Sequence, residues 1–379
     1  MKIIEITAHA LSFPVSAEGG VSLGIGRTVK RDTVVVKVTT SEGLVGFGEA
    51  HHGRAPGAIA HLINTTLRQL LLGRDALDVV GAWQVVYQMQ LNSHGMGAAT
   101  AMGLSGIDMA LWDIRAKAVG WPLYRMLGGA SHSIRAYAGG ISLGFQPPDD
   151  LVREAQGLVA RGYRALKLRI GDSVERDSAR ICRVREALGP NIDILVDANA
   201  AYNYDDARRI MPVLDACSVG WLEEPFAPHD HRNYADAARL GRTPLAAGEN
   251  HYTRFEFHRL IEDGAVRILQ PDLSKTGGIT EGLRIAAMAS AWKLPINPHS
   301  STTGINMAAT IHFLCAIENR GYFEADVARE NLFRDRLCST PFAIDSTGSV
   351  RPLEHPGIGV EVDEDFIKAH PVIEGPCYV

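Results

Sequence analysis

The sequence predicts an α/β protein organised around a parallel (β/α)₈-type barrel, preceded by a smaller α+β unit. Eight short apolar runs alternate with amphipathic, helix-like stretches between residues 134 and 327, and their starts recur every 22 to 31 residues. An open doubly wound sheet would also alternate strands and helices, but it normally uses fewer strands. Asp197, Glu223 and Glu249 each close one of these runs, at an interval of 26 residues. The number of runs and their spacing favour the barrel.

The length and composition limit the classes of protein to which the chain can belong. Its 379 residues suffice for a barrel-sized domain and a second, smaller one. A formal net charge of -5 gives no large basic field, so we expect neither nucleic acid nor a membrane as a partner. The 5 cysteines include no CxxC pair, which favours reduced thiols in a cytoplasmic protein. The first residues predict a strand rather than a signal peptide, and no apolar run reaches the ~20 residues of a membrane span.

The first part of the chain, residues 1–128, predicts an α+β capping domain. Three strand-like runs, KIIEITAHAL, DTVVVKVTT and LVGFGEA, indicate an antiparallel meander. The glycine-rich segment 17–27 lacks both GxGxxG and a GK[ST] ending, and a strand follows it, so it predicts a mobile loop rather than a phosphate cradle. From residue 57 onward, apolar side chains recur at helical spacing. Strands followed by helices are typical of an α+β unit.

The barrel is expected over residues 129–340, and residues 341–379 lose the repeat and are expected to pack back on the first domain. The eight strand-like runs cover residues 134–140, 165–170, 192–200, 219–225, 244–250, 266–272, 294–300 and 321–327. The working residues of such a barrel lie at the carboxyl ends of its strands. The polar residues at those ends are Lys167, Arg169, Asp197, Asn199, Glu223, Glu224, Glu249, Asn250, Asp272, His299 and Glu324.

Each strand-end residue has an ordinary structural explanation when it is taken alone. A lysine there is usually solvated, a single histidine is usually hydrogen-bonded, and an aspartate before a loop often caps a helix. Their occurrence on seven consecutive strands favours one shared site. Three carboxylates that converge repel one another unless a cation lies between them. Oxygen ligands without a nearby Cys or His pair indicate Mg²⁺ rather than zinc.

One long segment and several short elements carry a family resemblance. The segment is SGIDMALWDIRAKAVGWPLYRMLGG (105–129), and the elements KLR, VDAN, EEP, GEN, PDLSKTGGIT and NPHS follow it in order. In these features the chain resembles the mandelate racemase branch of the enolase superfamily over nearly its whole length. The resemblance implies a modified (β/α)₇β barrel, with an N-terminal cap that the C-terminal segment completes. Similar proteins are usually dimers or octamers, so we expect a homo-oligomer.

The resemblance also implies a role for each strand-end group. It implies that Asp197, Glu223 and Glu249 hold Mg²⁺. The remaining implied roles are a dyad of Asp272 with His299 and a hydrogen bond between Glu324 and the substrate carboxylate. The reaction would remove the proton α to a carboxylate, and Mg²⁺ with Lys167 would neutralise the charge of the enolate. Asp272 would fix one ring nitrogen of His299 and leave the other to act as the general base.

Arg169 departs from the family pattern, in which a second lysine commonly serves as the base on the opposite face. A guanidinium stays protonated at ordinary pH and is poorly suited to accept a proton, so we expect Arg169 to act as an electrostatic or hydrogen-bond donor. A racemase needs two competent groups, whereas a dehydratase needs one base that then acts as the acid on the departing β-hydroxyl. We therefore expect dehydration of a sugar acid, an aldonate or an aldarate, to a 2-keto-3-deoxy acid. The alternative is a racemase, epimerase or cycloisomerase acting on a carboxylate or lactone.

Substrate choice is implied by the resemblance to depend on two cap loops, at about residues 15–30 and 51–56. The loops offer polar or cationic groups for a polyol chain or a distal carboxylate, although solvated loop residues explain them equally well. These groups are Arg27, His51, His52 and Arg54. The residues that we assign to substrate binding are Glu324, Asn199, His51 and Arg54.

Other classes of protein fit the sequence less well, and the role of Lys275 stays open. A non-catalytic barrel would not require both the acidic triad at 197, 223 and 249 and the dyad of Asp272 with His299. A metal-dependent hydrolase would ordinarily use more histidine ligands than His299 alone.

Overall fold

The computed structural model describes residues 1–379, and its first part contains an antiparallel sheet. The strands of this part are β1 (Ile3–Pro14), β2 (Ser22–Leu23), β3 (Gly26–Arg27), β4 (Lys30–Thr40) and β5 (Val45–Ala50). The sheet has the order β1-β4-β5, with Ala8 opposite Val36 and Val36 opposite Gly48. The predicted meander is therefore confirmed.

Helices cover this sheet on one side. They are α1 (Pro56–Leu62), α2 (Arg68–Leu71), α3 (Val79–Val86), α4 (Ala98–Ala118) and α5 (Leu123–Met126), with π-helical segments at Ile63–Leu67 and Tyr87–Leu91. α4 packs across the sheet, and every residue from 100 to 114 is buried. A Cβ atom at Gly48 would lie 2.1 Å from the carbonyl oxygen of Gly106 on α4, so only glycine permits this close contact. No helix, α4 included, combines the length and the apolar composition that a membrane crossing requires.

The second part is the predicted barrel, which is confirmed. Its strands are β6 (Ile134–Gly139), β7 (Ala165–Arg169), β8 (Asp193–Asp197), β9 (Leu222–Glu223), β10 (Leu245–Ala247), β11 (Val266–Leu269) and β12 (Phe323–Asp326). They pair in parallel in the order β11-β10-β9-β8-β7-β6-β12. The intervening helices are α6 (Pro148–Ala160), α7 (Val174–Leu188), α8 (Tyr204–Ala216), α9 (His231–Ala237), α10 (Thr253–Asp263), α11 (Gly278–Ala291) and α12 (Gly304–Leu314).

The seventh predicted strand differs from the others because it contributes only one paired residue. Ile296 forms parallel bridges to Leu269 on one side and to Arg320 on the other, and these bridges close the circle between β11 and β12. Pro295 and Pro298 flank this residue. Proline has no backbone N–H to donate, so a regular ladder cannot form there. Seven helices, α6 to α12, follow the first seven strands, and β12 is the last strand, which gives the (β/α)₇β arrangement.

The interior of the barrel is apolar below the strand ends. The buried layer at that level consists of Tyr137, Ala165, Leu195, Trp221 and Ala246. Side chains two residues further along a strand point in the same direction. Lys167, Asp197 and Glu223 therefore face the interior one step above a floor that excludes water from below.

The C-terminal residues join both parts of the molecule. They form β13 (Ser349–Val350), which pairs with β6, and the short helices α13 (Leu332–Asp335) and α14 (Glu364–Ala369) lie on either side of it in the chain. Further on, the backbone N–H of Val29 donates to Cys377 (3.0 Å) and that of Ser12 to His370 (3.3 Å), so the end of the chain lies along the cap. The domain limits at residues 128 and 340 stay predictions.

The glycine-rich segment has more structure than the mobile loop that we expected. β2 and β3 pair as a short hairpin, with Ser22 opposite Arg27. The backbone N–H of Arg27 donates to Val379 (2.7 Å), and that of Val379 donates to Arg27 (2.9 Å). The last residue of the chain thus holds the hairpin, and local sequence contains no sign of so distant a partner.

Candidate active site

Three carboxylates converge at the ends of β8, β9 and β10. Asp197, Glu223 and Glu249 each offer an oxygen, and these atoms lie within 4.8 Å of one another. Gly248 makes the last of these turns possible, since it has φ +150° and a Cβ atom there would lie 2.6 Å from the backbone nitrogen of Gln270. A cluster of three oxygen ligands fits a hard cation such as Mg²⁺.

Two buried donors hold Glu223, and sequence reasoning missed both of them. The side chain of Gln270 donates to Glu223 Oε2 (2.7 Å), and the indole N–H of Trp221 donates to the same oxygen (3.1 Å). Such partners orient a carboxylate toward an ion. Each donor lies two residues before a strand-end carboxylate, at 223 and at 272. The two-residue period of a strand was the signal that could have found them.

The cationic residues of β7 lie against the acidic cluster. Lys167 is fully buried, with Nζ 2.7 Å from Glu223 Oε1, 3.0 Å from Glu324 Oε1 and 3.5 Å from Asp197 Oδ2. Burial lowers the pKa of Lys167, but the charges of these carboxylates outweigh it and hold the pKa above its ordinary value. Arg169 donates to Asp197 and to the backbone oxygen of Gly140. Neither cation is suited to accept a proton.

His299 and Asp272 form a hydrogen-bonded pair, with Nδ1 2.6 Å from Oδ2. The other oxygen of Asp272 accepts from the backbone and the hydroxyl of Ser274 (both 2.7 Å) and from Asn306 Nδ2 (3.2 Å). His299 Nε2 lies 3.2 Å from Glu249 Oε2. Burial lowers the pKa of His299, but Glu249, Glu324 and Asp272 outweigh burial and raise it to about 9. The contacts of Ser274 belong to a local turn that begins at Asp272, whereas the contact of Asn306 depends on the packing of α12, which the sequence pattern does not contain.

The neighbouring cations neutralise the carboxylates of the acidic cluster only in part. Burial, followed by the neighbouring carboxylates, raises the pKa of Glu223 to about 7 even though Lys167 opposes the shift. The pKa of Glu224 is raised well above its ordinary value by burial and by Glu249 and Asp197. Glu224 Oε1 is buried and has no hydrogen-bond partner. An added cation would relieve this repulsion, so the residues present fit a divalent metal.

A cavity of about 880 Å³, its open mouth included, lies between the barrel and the cap. The site residues predicted from the sequence that line it are Arg169, Asn199, Glu249, His299, His51 and Arg54. Glu324 lies behind the cavity wall, where it accepts from Lys167 and from the backbone of Gly140 (2.9 Å) and Ser300 (3.2 Å). The other predicted residues that are buried beneath the wall are Lys167, Asp197, Glu223 and Asp272.

The two cap loops differ in what they contribute to the cavity. Leu23 and Ile25 of the hairpin line it, whereas Arg27 lies outside it and donates to the backbone oxygen of Ala17 (2.5 Å). His52 of the second loop lines the cavity as well. Lys275, whose role the sequence left open, reaches the wall with Nζ 3.4 Å from Glu249 Oε1.

Known proteins resemble this chain along its length. The family model for the mandelate racemase / muconate lactonizing enzyme N-terminal domain matches residues 6–128, and the one for the enolase C-terminal domain-like family matches residues 150–366. The arabinonate dehydratase of Saccharolobus solfataricus is 34% identical, with 89% of this chain and 90% of that protein covered. The 3,6-anhydro-alpha-L-galactonate cycloisomerase of Streptomyces coelicolor is 31% identical, with 89% and 91% covered.

Solved structures agree with this relationship. An enolase superfamily member from Polaromonas sp. JS666 has a TM-score of 0.98 and 56% identity, with 100% of both chains covered. A racemase from Streptomyces coelicolor A3(2) with bound magnesium has a TM-score of 0.89 and 29% identity, with 98% of this chain and 100% of that chain covered. The resemblance drawn from the short motifs is confirmed. The chain is therefore an enzyme of the enolase superfamily and belongs to its mandelate racemase branch.

Proposed function

We propose that this enzyme is a Mg²⁺-dependent dehydratase that converts a sugar acid, an aldonate or an aldarate, into a 2-keto-3-deoxy acid. The observation that carries the proposal is the asymmetry between His299 and Arg169. Both line the cavity, but only His299 has a side chain that can exchange a proton near neutral pH. A reaction that needs one base, rather than one on each face of the substrate, fits this pair.

Asp197, Glu223 and Glu249 would hold Mg²⁺, which supplies positive charge at the carboxylate end of the substrate and so stabilises an enolate. Lys167 adds a fixed positive charge behind the same position, because its contacts with Glu223 and Glu324 keep it protonated. The apolar floor of the barrel keeps water away from these groups, which strengthens every charge interaction among them.

His299 would remove the α proton through Nε2, because Nδ1 is occupied by Asp272. The electron pair of the C–H bond forms the enolate. When the enolate collapses, the β-carbon to oxygen bond breaks, and the protonated His299 returns its proton so that the hydroxyl leaves as water. The resulting enol takes a solvent proton at C3 to give the keto acid. Glu249 is the main group that raises the pKa of His299, so a Glu249 engaged in cation ligation leaves His299 a weaker and more readily neutral base.

Cycloisomerisation of a sugar-acid lactone or anhydro acid is the second candidate. It is favoured by the relative named as a cycloisomerase, which is nearly as similar to this chain as the dehydratase. The reaction uses the same proton removal and the same enolate, and it differs in what the enolate then expels. The acidic triad and the dyad suit both reactions equally, so a product analysis has to separate them.

Incubation of the Mg²⁺-loaded enzyme with a panel of mono- and diacid sugars and their lactones in D₂O tests the proposal. We expect a 2-keto-3-deoxy acid that carries deuterium at C3. Exchange of the α proton without a keto acid would support an epimerase, and ring opening of a lactone would support the cycloisomerase. A cytoplasmic location and a homo-oligomeric assembly stay predictions.

A further inference from the structure

The cavity has ends of opposite charge. The carboxylates of the triad lie at the barrel end, whereas Lys30, Arg31 and Arg54 line the cap end. Lys30 Nζ lies 3.1 Å from Asp32 Oδ1, and Arg31 Nη2 lies 2.5 Å from Asp326 Oδ2. Arg54 forms no ion pair and donates no side-chain hydrogen bond, and its guanidinium lies 5.5 Å from the ring centre of Tyr378. The cap end therefore has one positive charge that no carboxylate balances.

Arg31 has a donor that nothing in the protein uses. Its side chain is only 3% exposed, and Nη1 is buried without a hydrogen-bond partner. Arg31 lines the cavity, so its guanidinium adds positive potential there, while Nη1 itself is enclosed by protein atoms.

The contacts of Arg31 place its guanidinium on the cap side of the catalytic pair, Asp272 and His299. Nη2 reaches Asp326, two residues after Glu324, and lies 3.5 Å from the hydroxyl of Ser301, two residues after His299. Asp326 and Ser301 both follow the site residues in the direction of the cap, so the guanidinium lies on the cap side of His299.

The backbone of Arg54 is held in an unusual conformation. Its φ is +58°, in the left-handed region, and its N–H donates to Nδ1 of His52 (2.9 Å). Non-glycine residues in that region cluster at ligand sites. Burial and the neighbouring cations lower the pKa of His52 to about 3, so the neutral ring neither adds charge nor removes it. The charge of Arg54 stays available to a ligand.

We propose that Arg31 and Arg54 form an anion subsite that binds the distal carboxylate of a dicarboxylic sugar acid. The first carboxylate then lies at the metal end, as the proposed function requires, and the substrate class narrows from sugar acids in general to aldarates. An aldonate would place a neutral hydroxymethyl group beside Arg54 and leave its charge unbalanced.

Calorimetric binding of two unreactive probes, adipate and hexanoate, to the Mg²⁺-loaded full chain tests the subsite. The variants are Arg54→Gln, which removes the charge, Arg54→Lys, which keeps it, and Arg329→Gln. Arg329 is exposed and lies outside this cavity, so its variant controls for the loss of one positive charge. Arg54 is also exposed, so its substitution leaves the packed core intact.

We expect adipate to bind the wild type about tenfold more tightly than hexanoate does, as a charge-assisted contact provides. Arg54→Gln should remove most of this preference without changing hexanoate binding, Arg54→Lys should keep most of it, and Arg329→Gln should keep all of it. Equal binding of the two probes to the wild type, or an equal loss for both in Arg54→Gln, would overturn the subsite.

Measuring keto-acid formation distinguishes a failure of the anion subsite from a failure of the proposed dehydratase function. Arg54-dependent binding of adipate without keto acid from any sugar acid would leave the subsite standing and reject the dehydratase. Keto acid formed equally well from an aldonate and from the matching aldarate, with no effect of Arg54→Gln on their ratio, would reject the subsite and leave the dehydratase.

Discussion

His299 Nδ1 lies 2.6 Å from Asp272 Oδ2, and this contact directs the other ring nitrogen of the histidine toward the cavity. A carboxylate in that place accepts only, so the proton of the neutral ring stays on Nδ1 and the lone pair stays on Nε2. Asparagine could present its NH₂ group to Nδ1 instead and would then favour the wrong tautomer.

We therefore expect Asp272→Asn to lower kcat for dehydration by about 100-fold or more. The affinity for Mg²⁺ should stay close to that of the wild type, because Asp272 is not one of the three converging carboxylates. Steady-state kinetics and metal titration measure the two quantities. A variant with normal kcat would show that orientation of the ring does not depend on this contact.

Glu249 belongs to the acidic triad and also contacts His299. Its substitution should weaken metal binding. Glu249→Gln should weaken Mg²⁺ binding by about 100-fold, because a charged ligand becomes neutral. Mg²⁺ should then no longer raise the melting temperature at concentrations that stabilise the wild type. Equal stabilisation of both proteins by Mg²⁺ would place the ion elsewhere.

Gln270 supports the triad from below, through its 2.7 Å hydrogen bond to Glu223 Oε2. Gln270→Leu keeps similar volume and removes the donor, so we expect about a tenfold loss of Mg²⁺ affinity. Calorimetric titration of the metal measures this without any substrate. An unchanged affinity would mean that Trp221 alone is enough to orient Glu223.

His312 should make folding stability depend on pH. Its Nδ1 accepts from the backbone of Tyr124 (3.1 Å) and its Nε2 donates to Ile358 (2.9 Å), so the buried ring is neutral. Burial lowers the pKa of His312 from 6.5 to about 4. The unfolded chain therefore takes up a proton first as the pH falls, and stability that is complete above pH 6.5 is lost toward pH 4.

The expected loss between pH 7 and pH 5 from this residue is about 2 kcal/mol. In His312→Gln, the side-chain amide can still accept from Tyr124 and donate to Ile358, but it does not titrate. Denaturant unfolding at the two pH values should show a smaller pH effect in the variant by that amount. The same pH dependence in both proteins would assign the effect to other groups.

The residues that the sequence could predict are those fixed by strand period and strand order. Asp197, Glu223 and Glu249 could be placed together because parallel strands in a barrel bring their carboxyl ends to one face. Gln270 and Trp221 follow from the same two-residue period, although only the charged partners were singled out. The local sequence pattern was sufficient to predict those site residues whose positions follow from the strand order of the barrel.

Residues placed by packing between distant parts of the chain could not be predicted in this way. Arg31 acquires its position from Asp326, which is 295 residues away in the sequence. The hairpin near Arg27 is held by Val379, and the bridge at Ile296 depends on both neighbouring strands. None of these contacts produces a periodic pattern in the amino-acid sequence.

The central claim is that one imidazole, that of His299, removes the α proton of the substrate. Single-turnover reaction of the Mg²⁺-loaded His299→Asn variant with a sugar acid that the wild type dehydrates tests it directly, with release of the α proton followed by NMR in D₂O. We predict that the variant binds Mg²⁺ normally and releases neither the α proton nor a keto acid. Dehydration by His299→Asn at a rate near that of the wild type would contradict the claim.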